Sequence, residues 1–245
     1  MKAMIFAAGL GTRLRPLTAT RPKALIEINH APLLEIVIRR LLAAGVREII
    51  INTHHLAGQI ADFLKAKNNF GVRLELSHEE ELLDTGGGLQ KAAYFFDGNE
   101  PFFVHNVDVI SNIDLMAMYR QHLAQDCLAT LAVKARKTSR YFLFDEAGQL
   151  CGWKSLKENR VEMARTPAGQ IHELAFDGIH VISPELLQRM HETGVFSILK
   201  TYLRLAGEGE KIRAFRTEGL YWQDVGKIEQ LEEIKKQIAL GLLNI

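Results

Sequence analysis

FAAGLGTRLRPLTATRPK, residues 6 to 23, decides how the rest of this chain is read. A short apolar strand, Ala3 to Ala7, empties into Gly9 and Gly11. Glycine accepts φ > 0 and has no Cβ, so backbone N–H groups there can approach an anion closely. Arg13 can fork two N–H donors onto phosphate oxygens, and Lys23 offers a compact point charge. Pro16 and Pro22 stiffen a segment that would otherwise lose much entropy on ordering. Strand, glycines and cations in that order predict a loop that holds a polyphosphate; the alternative is a surface loop with solvated charges. Generic motifs do not fit. A GxGxxG fingerprint needs a glycine where Leu14 stands, and no Walker A loop is present. Leu14, and the lack of an acidic residue after a second strand, also argue against a dinucleotide dehydrogenase.

Beyond the loop, Leu33, Ile36, Val37, Leu41 and Ala44 recur at helical spacing, and Gly45 ends that helix. Glu48 to Asn52 is a nearly all-apolar strand, as expected for a parallel strand covered on both faces. A helix over Leu56 to Lys65 and a strand over Val72 to Ser77 follow. This β-α-β-α-β order predicts an α/β fold, a Rossmann-like, mainly parallel sheet with helices on both faces. Ligands in such sheets sit beyond the carboxyl ends of the strands, where Ala7 to Thr12 lies. Gly86 to Gly88, inside EEELLDTGGGLQK, read as a loop after the third strand; a flat base or sugar could pack on it, or it could be a hinge. Pro101 to His105 is a fourth strand, ending in Asn106-Val107-Asp108. A carboxylate there could help hold Mg²⁺, or merely cap a turn. His54 and His55 have no helpful Cys or His spacing and read as an exposed loop pair.

The rest is more antiparallel in character. Ile113 to Leu123 is a helix; Leu128 to Val133, Tyr141 to Phe144 and Leu150 to Trp153 are strands; Lys154 to Gly169 is a polar loop. Gly178 interrupts a strand over Ala175 to Ile182, marking a bulge or a close ligand approach. Ser183 caps a helix begun by Pro184; a further helix (Phe196 to Leu205) and strand (Lys211 to Phe215) follow. The last helix, Lys227 to Leu240, carries the stripe Ile228, Leu231, Ile234, Ile238 and Leu242, which packs on the domain or forms a homodimer contact.

At 245 residues, 47% hydrophobic and 24% charged, the composition is that of a globular protein. A net charge of +1 gives no basic field for nucleic acid, and no apolar run approaches a membrane span of about 20 residues. Met1 to Ala7 leads straight into the loop and does not read as a secretory leader. Cys127 and Cys151 read as unpaired, partly buried thiols in a reducing cytoplasm.

Three stretches carry a family resemblance. Ala7-Ala8-Gly9, Gly11-Thr12-Arg13-Leu14, Pro16-Leu17-Thr18, Pro22-Lys23 and Leu25 resemble the signature of the sugar-phosphate nucleotidyltransferases. Trp222-Gln223-Asp224-Val225-Gly226 resembles that family's Trp-x-Asp-[Ile/Val]-Gly motif. Asp84-Thr85-Gly86-Gly87-Gly88 resembles its second nucleotide-binding segment. The form is most like the branch acting on N-acetylmuramate 1-phosphate with UTP, with GTP-dependent mannose or heptose 1-phosphate guanylyltransferases as the alternative.

The resemblance implies one nucleotidyltransferase domain over 1–245, of the nucleotide-diphospho-sugar transferase type. Residues 1–125 would form the nucleotide half, and 126–245 the sugar half with the C-terminal helix. It assigns Ala7, Ala8, Gly9, Gly11, Thr12, Arg13, Lys23, Thr85, Gly86, Gly87 and Asn106 to the nucleotide, and Gly178 and Asp108 to the sugar. It assigns Asp108 and Asp224 to Mg²⁺ and makes Arg13 and Lys23 catalytic; Asp224 could also cap the last helix. Two departures stand out. Val107 replaces the usual glycine before Asp108, and no Glu-Lys-Pro is present to grip the sugar phosphate, leaving Lys157, Arg165 or Arg140 as substitutes. A non-catalytic sugar-nucleotide sensor is the competing class, and product formation from nucleoside triphosphate and sugar phosphate separates the two.

Overall fold

Ala3, Met4 and Ile5 are fully buried, so the first strand, β1 (Lys2–Phe6), is covered on both faces. The computed structural model describes residues 1–240. Its contacts divide the chain into a first unit (Met1–Leu82, His105–Ile113 and the chain from Tyr221 onward) and a second (Leu83–Val104 and Asp114–Leu220).

In the first unit, β1 is followed by a small hairpin, β2 (Glu27–Ile28) with β3 (Ala31–Pro32). Then come α1 (Leu33–Ala43), β4 (Glu48–Thr53), α2 (Ala57–Ala66) and β5 (Arg73–His78). Leu33, Leu34, Val37, Ile38 and Leu41 form the buried face of α1, while Ile36 lies off that face. Glu35 is buried among them because Arg39 (2.7 Å) and Lys67 (3.0 Å) compensate its charge. Strands β1, β4 and β5 run parallel, with Phe6 opposite Asn52 and Asn52 opposite Ser77. The chain therefore leaves all three strands at the same edge, which sets where loops can gather.

The second unit opens with α3 (Asp84–Lys91), and here the expected loop is overturned: Gly86, Gly87 and Gly88 are buried inside this helix. Gly86 and Gly87 both donate N–H to the Phe196 carbonyl, at 2.9 and 3.2 Å. An added Cβ would run into the Phe196 ring at Gly86 and the Gly194 carbonyl at Gly87. Glycine is needed for this close approach, not for a flexible loop. Strand β6 (Phe102–Asn106) begins in the second unit and ends in the first, where β7 (Val109–Ser111) follows.

The second unit resumes with α4 (Leu115–Gln125), capped by the Asp114 carboxylate, which accepts from the Ala117 N–H at 2.8 Å. Strands β8 (Ala129–Lys134), β9 (Arg140–Phe144), β10 (Leu150–Ser155), β11 (Arg160–Met163) and β12 (His172–Ile182) come next. Antiparallel pairing joins β11 to β10, β10 to β9, β9 to β12 and β12 to β8. The expected loop over Lys154 to Gly169 thus contains a strand. Asn159, at φ 47°, turns the chain so that Arg160 faces Ser155. Arg160, Val161 and Met163 stay exposed, so no core-facing alternation announced it. Register shifts between Phe176 and His180, with Gly178 at φ 77°, so a bulge does sit there.

Short α5 (Pro184–Gln188) follows, and Ser183 does not cap it; its hydroxyl donates to the Cys127 carbonyl at 2.8 Å. Then come α6 (Ile198–Gly207) and β13 (Ile212–Arg216), the latter parallel to β8. Back in the first unit, β14 (Trp222–Asp224) pairs antiparallel with β7, and α7 (Ile228–Ala239) buries Leu231 and Ile234. Leu242, the last residue of the predicted stripe, lies outside the described residues. Both cysteines are free and buried. No helix among the described residues is long and apolar enough to cross a membrane.

Candidate active site

The loop leaves β1 through Ala7, whose N–H donates to the Asn52 side-chain oxygen at 2.7 Å. Gly11 sits in the left-handed region (φ 61°). Its carbonyl accepts from the Leu14 N–H and the Thr18 hydroxyl, both at 2.8 Å, closing the turn over Thr12–Leu14. Leu14 is buried there while Thr12 and Arg13 are exposed beside Gly9. The Arg15–Pro16 peptide is cis. Pro22 then starts a second short turn, Lys23–Leu25, and the Lys23 ammonium pairs with the Asp108 carboxylate. The cation at the far end of the loop thus meets a carboxylate 85 positions later.

Asp224 reaches the same place through the β7–β14 ribbon. It lies opposite Val109, and the Val225 N–H donates to the Asp108 carbonyl at 2.8 Å. Asp224 does not cap α7: its carboxylate accepts from the Gln230 amide at 2.6 Å, and Gln230 accepts from the Gly226 N–H at 3.0 Å. A Cβ on Gly226 would lie 2.9 Å from the Arg13 guanidinium and 3.2 Å from the Asp224 carboxylate. Gly226 therefore leaves room for the Arg13 guanidinium and the Asp224 carboxylate where a larger residue would crowd both. Arg13, Lys23, Asp108 and Asp224, expected from the sequence, are gathered in the first unit.

That donor set suits a hard divalent cation, which takes one or two carboxylates and completes its shell with water and phosphate oxygens. Among the described residues no group of three or more His, Cys, Asp or Glu side chains could hold a metal ion. His54 is not a free loop residue: its Nδ1 bonds the Glu79 carbonyl at 2.8 Å. Asn106 is half-buried beside the site. Val107 is buried, and its N–H donates to the Phe6 carbonyl at 3.1 Å, so the backbone stays in line with β1. His105 is fully buried and accordingly neutral; burial and the nearby Arg40 push it down to about 3.

The other expected residues lie in the second unit. The Thr85 hydroxyl accepts from the Ile198 N–H at 3.0 Å, and the Gly86 and Gly87 N–H groups are taken by Phe196. Next to Gly178, Asp177 is fully buried and accepts from the Arg136 guanidinium (3.4 Å) and the Thr217 hydroxyl (2.5 Å). Burial raises its carboxyl despite those partners. Of the basic residues proposed for the sugar phosphate, Lys157 and Arg140 are exposed and Arg165 half-buried. Sequence reasoning missed Asn52, Glu79, Gln230, Arg136 and Asp177. Only Asn52 left a signal, as a polar residue closing the apolar run EIII.

The nucleotidyl transferase family model matches residues 2–240. N-acetylmuramate alpha-1-phosphate uridylyltransferase of Caulobacter vibrioides is 33% identical over 237 residues, 91% of each chain. Mannose-1-phosphate guanylyltransferase catalytic subunit beta of Danio rerio is 30% identical over 233 residues. That match covers 93% of this chain but only 61% of the relative's length. The crystal structure of UDP-glucose pyrophosphorylase complexed with UDP-glucose superposes with a TM-score of 0.78 at 20% identity, over 98% of both chains, a likeness of fold.

Proposed function

The chain belongs to the nucleotidyl transferase family, and we propose that it joins a nucleoside monophosphate from UTP to N-acetylmuramate 1-phosphate, releasing pyrophosphate. The observation that carries this reading is the ion pair of Lys23 with Asp108, which returns the end of the phosphate loop to the carboxylates. Arg13, exposed at the loop, neutralises the leaving pyrophosphate. Lys23 exchanges the Asp108 carboxylate for a phosphate oxygen when substrate arrives, since the two anions are alternative partners for one point charge. Nucleotidyltransferases of this family generally use a divalent metal; here Asp108 and Asp224 would hold Mg²⁺, which supplies charge neutralisation.

The attacking sugar-phosphate oxygen is already an anion, so no general base is required. It forms a bond to the α-phosphorus in line as the bond to pyrophosphate breaks. The protein's contribution is positioning and charge balance between two polyanions. We assign Ala7, Ala8, Gly9, Gly11, Thr12 and Asn106 to the nucleotide and Asp108 to the sugar.

UTP is favoured because a relative matched over nearly its whole length is a uridylyltransferase. The second reading, a guanylyltransferase for mannose or heptose 1-phosphate, draws on the 30% identical guanylyltransferase. Pyrophosphate release with Mg²⁺, crossing UTP, GTP, CTP, ATP and dTTP with a panel of sugar 1-phosphates, tests both. We expect turnover with UTP and N-acetylmuramate 1-phosphate. Turnover only with GTP would select the second reading, and silence with every pair would overturn the transferase reading.

A further inference from the structure

Ala7 is the first residue of the loop beyond β1, and a side chain, Asn52, takes its N–H. The parallel register of β1 and β4 sets Asn52 beside Phe6, so the amide reaches the point where the loop departs. An asparagine amide has two nearly equivalent ends, and its neighbours decide which faces where. Here Asn52 Nδ2 donates to the Glu79 carboxyl at 2.7 Å, which leaves Oδ1 for the Ala7 N–H. Glu79 is fixed in turn. Its N–H donates to the Thr53 carbonyl at 2.7 Å, and its carbonyl bonds His54 Nδ1. Asn52 is 4% exposed and Glu79 1% exposed. Burying an amide and a carboxyl at the end of an apolar strand is costly unless their hydrogen bonds are made.

Building on the nucleotide reading above, we propose that Asn52 and Glu79 are a positioning pair that sets the start of the loop for the triphosphate. Glu79 orients the Asn52 amide, the amide holds Ala7, and Ala7 fixes the path of Ala8 to Gly11. Neither side chain touches the nucleotide. Both act through the backbone of the loop.

The polarity of the pair can be broken and restored. Asn52→Asp sets two carboxyls against each other, whereas Asn52→Asp combined with Glu79→Gln lets the introduced carboxylate accept from both the Ala7 N–H and the new amide. Affinities for UTP and for GTP, each with Mg²⁺, would be measured by calorimetry well below the lowest Tm, with Tm recorded for every variant. We expect Asn52→Asp to weaken binding about tenfold, and the double variant to return to within about threefold of the unmodified protein. Should Asn52→Asp not fold, Asn52→Ala, which removes the acceptor without adding charge, carries the same expected loss. A lowered Tm with unchanged affinity would make the pair merely structural and overturn the proposal, as would a double variant no better than Asn52→Asp. Failure of the unmodified chain to bind either nucleotide would overturn the proposed function, and this inference with it.

Discussion

Gly11 combines two requirements at one residue. Its φ of 61° disfavours any Cβ, and a Cβ there would stand 2.9 Å from Thr18 Cγ2 and 3.1 Å from Lys23 Cβ. Gly11→Ala should therefore lose about 1–3 kcal/mol of stability and weaken triphosphate binding, read by urea unfolding and calorimetry. Wild-type stability in that variant would mean that the turn is not held as described. Asp224 poses the opposite case, a residue whose chemistry can be removed with little harm to the fold. In Asp224→Asn the Oδ1 still accepts from Gln230, so we expect unfolding to change by less than about 0.5 kcal/mol. Turnover with Mg²⁺ should fall by about 10² or more, because a negative charge has gone. Near-normal turnover would remove Asp224 from the metal assignment.

Between elements, the same residue type plays opposite parts. Gly86 in α3 lies against Phe196, so Gly86→Ala should cost about 3 kcal/mol through overpacking, and Phe196→Leu should recover part of it. Gly58 in α2 is exposed with open space where a Cβ would go, so Gly58→Ala should add about 0.5–1 kcal/mol. Thermal unfolding of the two variants, expected to move in opposite directions, tests both. This contrast marks the limit of what the sequence makes legible. α1 announces itself because its apolar residues follow the helical period, β4 because it is an unbroken apolar run covered on both faces, and the phosphate loop because its glycines and cations are close in sequence. The role of Gly86 depends on Phe196, that of Asp177 on Thr217, and that of Asn52 on Glu79, partners that a local window does not contain. β11 escaped for another reason: an exposed edge strand buries no face, so it carries no period to find.

For the whole molecule, each unit contains a buried neutral histidine, and the pair makes stability fall in mild acid. His105 in the first unit is pushed down to about 3 by burial, with Arg40 adding to it. His122 in the second is pushed down to about 4 by burial. Its Nε2 lies 2.9 Å from the Ser183 hydroxyl, which itself donates to the Cys127 carbonyl. Nε2 must therefore be the protonated nitrogen, leaving Nδ1 to accept at 2.9 Å from Thr130. A Ser–His contact that would otherwise suggest a nucleophile is thus a fixed structural bridge. The unfolded chain protonates both imidazoles near pH 6.5 while the folded chain does not, so the unfolded state binds more protons and stability rises with pH in that window. The contribution is fully present above pH 6.5 and is lost as pH falls toward 4 and then 3. At pH 5 each histidine should have removed about 2 kcal/mol. Burial alone would raise the Glu192 carboxyl, but hydrogen bonds from Arg204 and Thr201 hold it at about 2, so its contribution is lost only below about pH 4.5. Glu192 therefore adds little to the slope between pH 6.5 and 5. Urea unfolding at pH 7.5, 6 and 5 should give a steep loss that His122→Gln makes shallower by up to about 1.4 kcal/mol per pH unit. Equal slopes in the two proteins would mean that His122 is not held neutral in the fold.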